Sequence, residues 1–268
     1  MTPAEDRDDL RLPPRRVVPP PAVTARPGPE PRADAPGVVR DVGVVIVAAG
    51  KGTRAGGDGA ELKQFRWIAG KPMLLHSVQT FMARPDVGSV VVVLPQSHAS
   101  DPPPWLFQCD VDRLLVSVGG RERSESVANG LEDLPDEVIT VLVHDAARPL
   151  VPDGMIDRVV ESARSGRATV PALPVVDTLK EVDEHGWIVR TVDREHLWRV
   201  QTPQGFPREL IARAHAEARR ARIAPTDDAG VCEWLGIPVH VVRGSERALK
   251  ITDEADFARA EALSILPE

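Results

Sequence analysis

A glycine-rich turn followed by two cations is the first part of the sequence whose residue types are suited to chemistry. Residues 48–54 read Ala-Ala-Gly-Lys-Gly-Thr-Arg directly after an apolar run, and Lys63 comes soon after them. Glycines let main-chain N–H groups approach phosphate oxygens because no Cβ stands in the way, and Arg54 and Lys63 could compensate the charge of a triphosphate. The spacing is neither that of a P-loop nor that of the G-x-G-x-x-G turn. We therefore predict a different kind of nucleotide site, with a surface turn bearing solvated cations as the alternative.

A histidine, a carboxylate and a guanidinium follow a second apolar run. Residues 144–149 read His-Asp-Ala-Ala-Arg-Pro, and α/β sheets place their ligands at such strand ends. Neighbouring residues on a strand point to opposite faces, so His144 and Asp145 do not form a simple dyad, and no serine or cysteine nucleophile stands beside them. We interpret His144 as a packed or positioning residue. Asp145 is either a cap of the following turn or a ligand of Mg²⁺ and ribose.

The overall composition restricts the class of protein. The chain has 268 residues, 42% of them hydrophobic, and no apolar run approaches the length of a membrane span. A formal net charge of -7 argues against nucleic-acid binding, which requires a basic surface. Cys109 and Cys232 are too few for a disulfide framework and lack the paired spacing of a zinc site. We therefore expect a soluble, cytoplasmic protein with reduced thiols and with no nucleic-acid or membrane partner.

The N-terminal residues differ in character from the rest of the chain. Ten of the 26 prolines precede Val38, and the apolar residues there show neither a helical nor a strand period. Acidic residues balance the arginines and no continuous apolar segment occurs, which argues against a targeting peptide. We predict a disordered tail at 1–40 and one folded domain at 41–268.

Apolar runs and helical patterns alternate from residue 41 onward. Runs typical of strands buried on both faces of a parallel sheet lie at 42–48, 87–94, 113–118, 138–143, 168–175 and 239–242. Helical patterns follow Pro72, span 124–134, precede Gly166, follow Pro207 and Asp227, and begin at Asp253. This alternation predicts an α/β fold with a doubly wound, mostly parallel sheet and right-handed crossovers. Both motifs described above would then lie at the carboxyl edge of the sheet.

The segment at 177–194 interrupts this alternation. Two short alternating runs, at 178–182 and 187–192, flank the sequence Asp-Glu-His-Gly, which is good turn chemistry for a β-hairpin. A two-stranded hairpin with no covering helix is only marginally stable in water. We therefore expect this arm to pack against the partner subunit of a homodimer.

The ordered set of motifs resembles the 2-C-methyl-D-erythritol 4-phosphate cytidylyltransferases of the non-mevalonate isoprenoid pathway. The resemblance runs from about Val42 to the C-terminus, and no single motif carries it. The matching segments are Ala-Ala-Gly-x-Gly-x-Arg at 48–54, Lys-Gln at 63–64, Gly-Gly-x-x-Arg-x-x-Ser at 119–126, His-Asp-Ala-Ala-Arg-Pro at 144–149, Asp-Thr-x-Lys at 177–180, Thr-Pro-Gln at 202–204 and Lys-Ile-Thr at 250–252. The resemblance implies a Rossmann-like nucleotidyltransferase fold with a β-hairpin dimerisation arm.

The resemblance also implies a reaction. The phosphate of 2-C-methyl-D-erythritol 4-phosphate would attack the α-phosphorus of CTP and expel pyrophosphate, giving 4-diphosphocytidyl-2-C-methyl-D-erythritol. Mg²⁺, or another divalent cation, would be bound to the triphosphate. Because the nucleophile is already anionic at neutral pH, no general base is needed, and catalysis would consist of bringing anions together and stabilising their charge.

Roles for individual residues follow from the resemblance. The residues that match catalytic positions are Arg54, Lys63 and Lys250. The residues that match nucleotide-binding positions are Ala48, Ala49, Gly50, Gly52, Gly120, Arg121, Ser126 and Asp145. The residues that match substrate-binding positions are Asp145, Arg148, Thr178, Arg194, Thr202 and Thr226. Of these, Thr178 and Arg194 would enter the site of the neighbouring subunit, and Asp145 could also contact the metal ion.

The loop before Lys63 departs from the pattern of the family. Leu62 stands where the family usually has proline, and the preceding loop is longer and rich in glycine. If Lys63 costs more entropy to order, turnover would be weaker while the reaction stays the same. Two alternatives remain: a ribitol 5-phosphate cytidylyltransferase, which would share nearly all of the motifs, and a nucleotide-binding relative without turnover. Motif spacing does not separate the two polyol phosphates.

Overall fold

The computed structural model describes residues 15–16, 38–50, 62–223 and 225–266. Gly52 and Arg54 lie outside the described residues, as does almost all of the predicted tail at 1–40. The disorder of the tail and the roles of these two residues therefore stay predictions. None of the helices in the described part of the chain is long and apolar enough to cross a lipid bilayer.

Strands and helices alternate along most of the domain. The strands are β1 Arg15–Arg16, β2 Val42–Val47, β3 Trp67–Ile68, β4 Lys71–Pro72, β5 Val87–Leu94, β6 Leu114–Val118, β7 Thr140–Asp145, β8 Ala168–Pro174, β9 Leu179–Val182, β10 Ile188–Val192, β11 Trp198–Val200, β12 Gln204–Pro207 and β13 Val239–Arg243. The α-helices are α1 Met73–Met82, α2 Gln96–Ala99, α3 Arg123–Glu132, α4 Asp153–Arg164, α5 Arg208–Ala221, α6 Asp228–Trp234 and α7 Glu254–Ser264. Short 3-10 helices span Lys63–Phe65, Pro104–Gln108 and Glu246–Ala248.

Within the described residues, a nine-stranded sheet forms the centre of the domain. Strands β6, β5, β2 and β7 lie side by side in this order and all run parallel. Strand β12 lies between β7 and β8 and is antiparallel to both. Strand β11 continues along the same edge of β8, while β13 pairs in parallel with its other edge. The predicted α/β fold with a mostly parallel sheet is confirmed.

The central strands are apolar along their whole length because both of their faces are covered. Successive residues of a strand point to opposite faces: Val44 and Ile46 belong to a core that includes residues of α1 and α4, whereas Val45 belongs to a core that includes residues of α3, α5 and α6. All three side chains are fully buried. Since helices cover both faces, ligands can reach the sheet at its carboxyl edge, where β2, β5, β6 and β7 end together.

Strand β12 is not predicted from the sequence. Its residues, Gln204–Pro207, include a glycine and a proline and show no alternation, so they read as a loop. Three of its four residues are nevertheless buried, because β12 fills the space between β7 and β8. This strand also brings the preceding residue pair, Thr202 and Pro203, to the end of β7.

Strands β9 and β10 form the predicted hairpin, which is separate from the main sheet. The Asp183 carboxylate accepts hydrogen bonds from the backbone N–H groups of His185 and Trp187 and closes the turn. Large apolar side chains on the hairpin are exposed, including Trp187 at 74% and Ile188 at 63%. An exposed apolar surface of this kind is typical of an interaction site. The packing of this arm on a second subunit stays a prediction.

Deleting residues 1–37 is expected to leave the melting temperature and the turnover of CTP unchanged within experimental error. A proline- and arginine-rich segment cannot bury a core of its own, and β1, its described part, is a two-residue strand beside β6 that is too short to add much stability. Circular dichroism melts of the truncated and full-length chains would test this. A loss of several degrees would show instead that the tail is docked on the edge of β6.

Candidate active site

The glycine-rich turn begins directly after β2, at the carboxyl edge of the sheet. Of its predicted nucleotide-binding residues, Ala48, Ala49 and Gly50 are described, and Gly50 is exposed. The Gln64 side-chain amide donates hydrogen bonds to the carbonyl oxygens of Ala48, at 2.7 Å, and Gly50, at 3.2 Å. Gln64 therefore ties the start of the turn to the segment that carries Lys63.

Lys63 lies at the start of a 3-10 helix that is anchored in the core. Phe65 of this helix is 6% exposed, and its ring contacts those of His98 and Trp105 at centroid distances of 4.9 and 5.8 Å. The ammonium group of Lys63 donates a hydrogen bond of 2.8 Å to the carbonyl oxygen of Ile251. Since Ile251 directly follows Lys250, two of the predicted catalytic cations lie on segments that touch each other.

The loop after β6 lies against the glycine-rich turn. A Cβ added to Gly119 would lie 2.2 Å from the Cβ of Ala49, so only glycine allows the two loops to approach this closely. The hydroxyl of Ser126 accepts a hydrogen bond of 3.0 Å from the N–H of Gly120, and the Glu125 carboxylate accepts one of 2.7 Å from the N–H of Arg121. The predicted nucleotide-binding residues of both loops are thereby brought together.

Asp145 lies at the end of β7 between two cations from distant parts of the chain. Its Oδ1 is 3.2 Å from both Nε and Nη2 of Arg123, and its Oδ2 accepts a hydrogen bond of 2.8 Å from the ammonium of Lys250. Burial alone would raise the pKa of Asp145, but the charges of Arg123 and Lys250 outweigh it and hold this pKa well below its usual range. Asp145 is therefore a carboxylate at every physiological pH, and it does not act as a general acid.

Arg123 is shared between Asp145 and a second, buried carboxylate. Nη2 of Arg123 is 2.8 Å from Oδ2 of Asp228, which is completely buried at the start of α6. Nε2 of His215, on α5, is 3.1 Å from the other oxygen of Asp228. Burial would raise the pKa of Asp228, but the charge of Arg123 and the hydrogen bond with His215 lower it. Arg123, Asp228 and His215 are not among the predicted site residues, although Arg123 is the arginine of the Gly-Gly-x-x-Arg motif.

His144 is completely buried behind the site, which confirms that it is a packed residue. The carbonyl oxygen of Arg148, 3.1 Å from Nε2, can only accept, so the proton lies on Nε2. Nδ1 then accepts from the hydroxyl of Thr202 at 3.2 Å, and that hydroxyl accepts in turn from the N–H of Asp145 at 3.0 Å. His144 and Thr202 thus fix the backbone from which the Asp145 side chain projects.

The free energy of unfolding is expected to fall as the pH drops from about 6.5 towards 4, because burial lowers the pKa of His144 to about 4. Below pH 6.5 the unfolded chain binds a proton at this residue and the folded chain does not, so the protein loses about 3 kcal/mol across this window. Denaturant titrations at several pH values would measure the slope. In a His144→Gln variant the free energy of unfolding should fall by about 3 kcal/mol less across this window, whereas that of His185→Gln, on the exposed hairpin, should fall as much as that of the wild type. An equal slope in all three proteins would contradict the assignment.

Arg148 lies beside this group and points towards the segment before Lys250. Its Nη1 donates a hydrogen bond of 2.6 Å to the carbonyl oxygen of Ala248, and its Nη2 donates one of 3.4 Å to that of Val200. Burial lowers the pKa of Arg148, but guanidinium groups remain charged in proteins. Arg148 therefore adds a further positive charge to this edge of the sheet.

Three predicted substrate-binding residues lie apart from the group around Asp145. Thr178 and Arg194 are exposed at the base of the hairpin, where Arg194 donates a hydrogen bond to the carbonyl oxygen of Val176. Thr226 is exposed just before α6. Within the described ranges, none of the three contacts Asp145, Arg123 or Lys250. Thr178 and Arg194 therefore make no contact with this chain's own site in the described ranges, and their predicted role in a neighbouring subunit's site stays a prediction, as does substrate binding by Thr226.

The described residues contain no group of three or more histidine, cysteine or acidic side chains that could hold a metal ion. Asp145 offers a carboxylate at the strand end, and both of its oxygens face cations. Mg²⁺ is usually bound by one or two carboxylates together with phosphate oxygens and water. The residues present therefore fit a metal ion that arrives with a nucleotide better than one that is held permanently.

The comparison with known proteins settles the family. The profile of the family described as IspD, 2-C-methyl-D-erythritol 4-phosphate cytidylyltransferase, matches residues 42–265. The chain belongs to this family. The resemblance found in the sequence motifs is thereby confirmed.

Several relatives carry the same name as the family. The 2-C-methyl-D-erythritol 4-phosphate cytidylyltransferase of Nocardia farcinica is 43% identical over 82% of this chain and 92% of its own length. That of Pelotomaculum thermopropionicum is 41% identical over 83% of this chain and 93% of its own length. The crystal structure of the cytidylyltransferase from Thermus thermophilus aligns with 83% of this chain and 98% of its own, with a TM-score of 0.70 and 37% identity.

Other relatives of the IspD family are longer. The proteins named bifunctional enzyme IspD/IspF from Rhizobium leguminosarum and Rhizobium etli are 42% and 41% identical to this chain, and the match covers 84% of its residues in both cases. The chain spans 57% and 58% of the lengths of these two proteins. It corresponds to little more than half of them.

Proposed function

We propose that the chain is a cytidylyltransferase that joins CTP and 2-C-methyl-D-erythritol 4-phosphate to give 4-diphosphocytidyl-2-C-methyl-D-erythritol and pyrophosphate. The observation that carries this proposal is the convergence of Lys63, Lys250 and the Asp145 carboxylate beside the glycine-rich turn. Membership of the cytidylyltransferase family supports the choice of substrates. This edge of the sheet brings several cations together, which suits a reaction between two phosphorylated molecules.

The chemistry requires positioning and charge stabilisation rather than proton transfer. A phosphate oxygen of the acceptor forms a bond to the α-phosphorus of CTP, and the bond from that phosphorus to the β-phosphate oxygen breaks, so pyrophosphate leaves with the electron pair. The attacking oxygen is already ionised at neutral pH. Preorganised cations lower the barrier because negative charge on the reacting phosphoryl group is stabilised without reorganisation.

Each predicted catalytic residue has a role in this reaction. Lys63 and Arg54 bind the triphosphate and stabilise the charge on the reacting phosphorus, and Lys250 assists from the side of Asp145. Asp145 orients the ribose and is the residue that would contact a Mg²⁺ ion carried by the triphosphate. When bound, the metal ion supplies further neutralisation of the phosphate oxygens.

The other nucleotide- and substrate-binding assignments follow from the family resemblance. The cytosine is read by the loop after β6, largely through main-chain atoms, and Arg148 and Thr202 help to hold the acceptor or the backbone around Asp145. We also propose that the enzyme is a cytoplasmic homodimer. Its hairpin would carry Thr178 and Arg194 into the partner's site, and the exposed apolar side chains of the hairpin support this arrangement.

A pyrophosphate-release assay tests the proposed function. Purified protein is incubated with CTP, Mg²⁺ and either 2-C-methyl-D-erythritol 4-phosphate or ribitol 5-phosphate. Pyrophosphate release with the first acceptor, at a much higher kcat/KM than with the second, is expected. A preference for ribitol 5-phosphate would assign the other acceptor, and CTP binding without turnover of either would indicate a non-catalytic relative.

A further inference from the structure

The Asp145 carboxylate is neutralised by two cations that are held very differently. Arg123 reaches Asp145 from the start of α3 and also forms an ion pair with Asp228, whereas Lys250 reaches Asp145 from the solvent side. The side chain of Arg123 is 27% exposed and that of Lys250 is 46% exposed. The two contacts therefore differ in how easily each cation can leave Asp145.

Asp228, which anchors Arg123, lies outside the ligand-facing part of the site. Asp228 is completely buried, and its second oxygen faces Nε2 of His215, which is 5% exposed. A buried carboxylate requires compensating charge or hydrogen bonds, so Asp228 keeps the Arg123 guanidinium in place. The planar fork of an arginine can bind two carboxylates at once, which a lysine cannot do in the same way.

We propose that Asp228 and His215 are positioning residues that hold Arg123 against Asp145, so that Lys250 can leave Asp145 and bind the phosphates of the incoming substrates. This inference deepens the proposed function and rests on it. Arg123 is the permanent counter-ion of Asp145, and Lys250 is the exchangeable one. If Arg123 were not fixed, Lys250 would stay paired with Asp145 and could not bind the phosphates of the substrates.

The exchange has a simple electrostatic basis. A lysine ammonium on a flexible stem can move between a carboxylate and a phosphate, and its transfer costs little only if the carboxylate it leaves keeps a second cation. Arg123 provides that cation at 3.2 Å from Oδ1, on the opposite carboxylate oxygen from Lys250. The departure of Lys250 also opens Oδ2 to ribose or to a metal ion carried by the nucleotide.

A double-mutant cycle tests whether Asp228 acts through Arg123. Asp228→Asn keeps the size of the side chain and removes its charge, and kcat/KM for CTP is expected to fall about tenfold or more because Arg123 is no longer held in place. In an Arg123→Lys background, where the fork is already lost, the same change should cost less than about twofold. Equal losses in both backgrounds, or no loss in the folded Asp228→Asn protein, would overturn the proposal.

A matched control separates this effect from a general loss of stability. Asp41 forms an ion pair with Arg164 before β2 begins, at the opposite edge of the sheet. Asp41→Asn therefore breaks a comparable pair, and it should lower the melting temperature while leaving kcat/KM unchanged. If Asp228→Asn does not fold, His215→Gln removes only the group behind Asp228, and the same cycle is measured with that variant.

Two further readouts do not depend on the polyol phosphate. If neither acceptor is turned over, the proposed function fails. The affinity for CTP with Mg²⁺, measured by titration calorimetry, can then replace kcat/KM throughout the cycle, and it still tests the role of Asp228. A crystal structure of Asp228→Asn should show the Arg123 guanidinium displaced from Asp145 and Lys250 still bound to it. Retention of the Arg123–Asp145 contact in that structure would overturn the proposal directly.

Discussion

Replacing Lys63 with alanine is expected to lower kcat by about a hundredfold or more, with a much smaller effect on the affinity for CTP, and Arg54→Ala is expected to behave in the same way. The 3-10 helix anchored by Phe65 and the hydrogen bond to Ile251 hold Lys63 beside the segment of Lys250. A preorganised charge of this kind acts mostly on the transition state, where negative charge builds up on the reacting phosphoryl group. Steady-state kinetics together with calorimetric titration of CTP would separate the two effects.

Lys71→Ala is the matched control for Lys63→Ala. Lys71 is exposed and donates a hydrogen bond to Gln79, and it carries the same charge on the same stem. Its replacement should leave kcat within about twofold of the wild type, since exposed pairs contribute little. If kcat were unchanged in both Lys63→Ala and Arg54→Ala, the proposed site would be wrong.

Mixing two inactive variants, Arg194→Ala and Lys63→Ala, is expected to recover up to about a quarter of the wild-type activity. In the proposed homodimer, Lys63 belongs to the body of one subunit and Arg194 reaches the same site from its partner. Random exchange makes half of the dimers mixed, and one of the two sites in each mixed dimer then has both residues intact. The arginine offers a fork of donors suited to a substrate phosphate.

Thr178→Ala provides the control for this complementation. Thr178 and Arg194 lie on the same arm, so a mixture of Thr178→Ala with Arg194→Ala gives each site one defective arm and should recover nothing beyond the activity of the parents. Subunit exchange is verified with mass-labelled chains. If exchange is complete and the mixture of Lys63→Ala with Arg194→Ala stays inactive, the two residues do not serve a shared site.

The parallel part of the sheet could be predicted from the sequence because its strands have no polar face. Strands β2, β5 and β7 are covered by helices on both sides, and continuous β-branched runs are typical of this environment. Strand β12 could not be predicted in this way, because its burial results from its place between β7 and β8 rather than from its own composition. When neighbouring elements bury a strand of only four residues, the hydrophobic pattern of its sequence gives little indication of that burial.

The residues of the candidate site could likewise be predicted only in part from the sequence. The family resemblance predicts roles for Lys63, Asp145 and Lys250, and the structure brings their segments together. The contacts of Arg123 with Asp145 and Asp228 could not be predicted, because they join the start of α3 to the end of β7 and the start of α6. Such long-range ion pairs depend on the packing of helices that the sequence places only approximately.

The close contact between Gly119 and Ala49 implies that two glycines of this site are constrained for different reasons. A methyl group at Gly119 would collide with the neighbouring loop, so its replacement would damage the protein before any ligand is present. A methyl group at Gly50 would meet no atom within 4 Å among the described residues, so none of these residues excludes alanine there. Selection at Gly119 would then act on the amount of folded protein in the cell, whereas selection at Gly50 would act through the proposed nucleotide site.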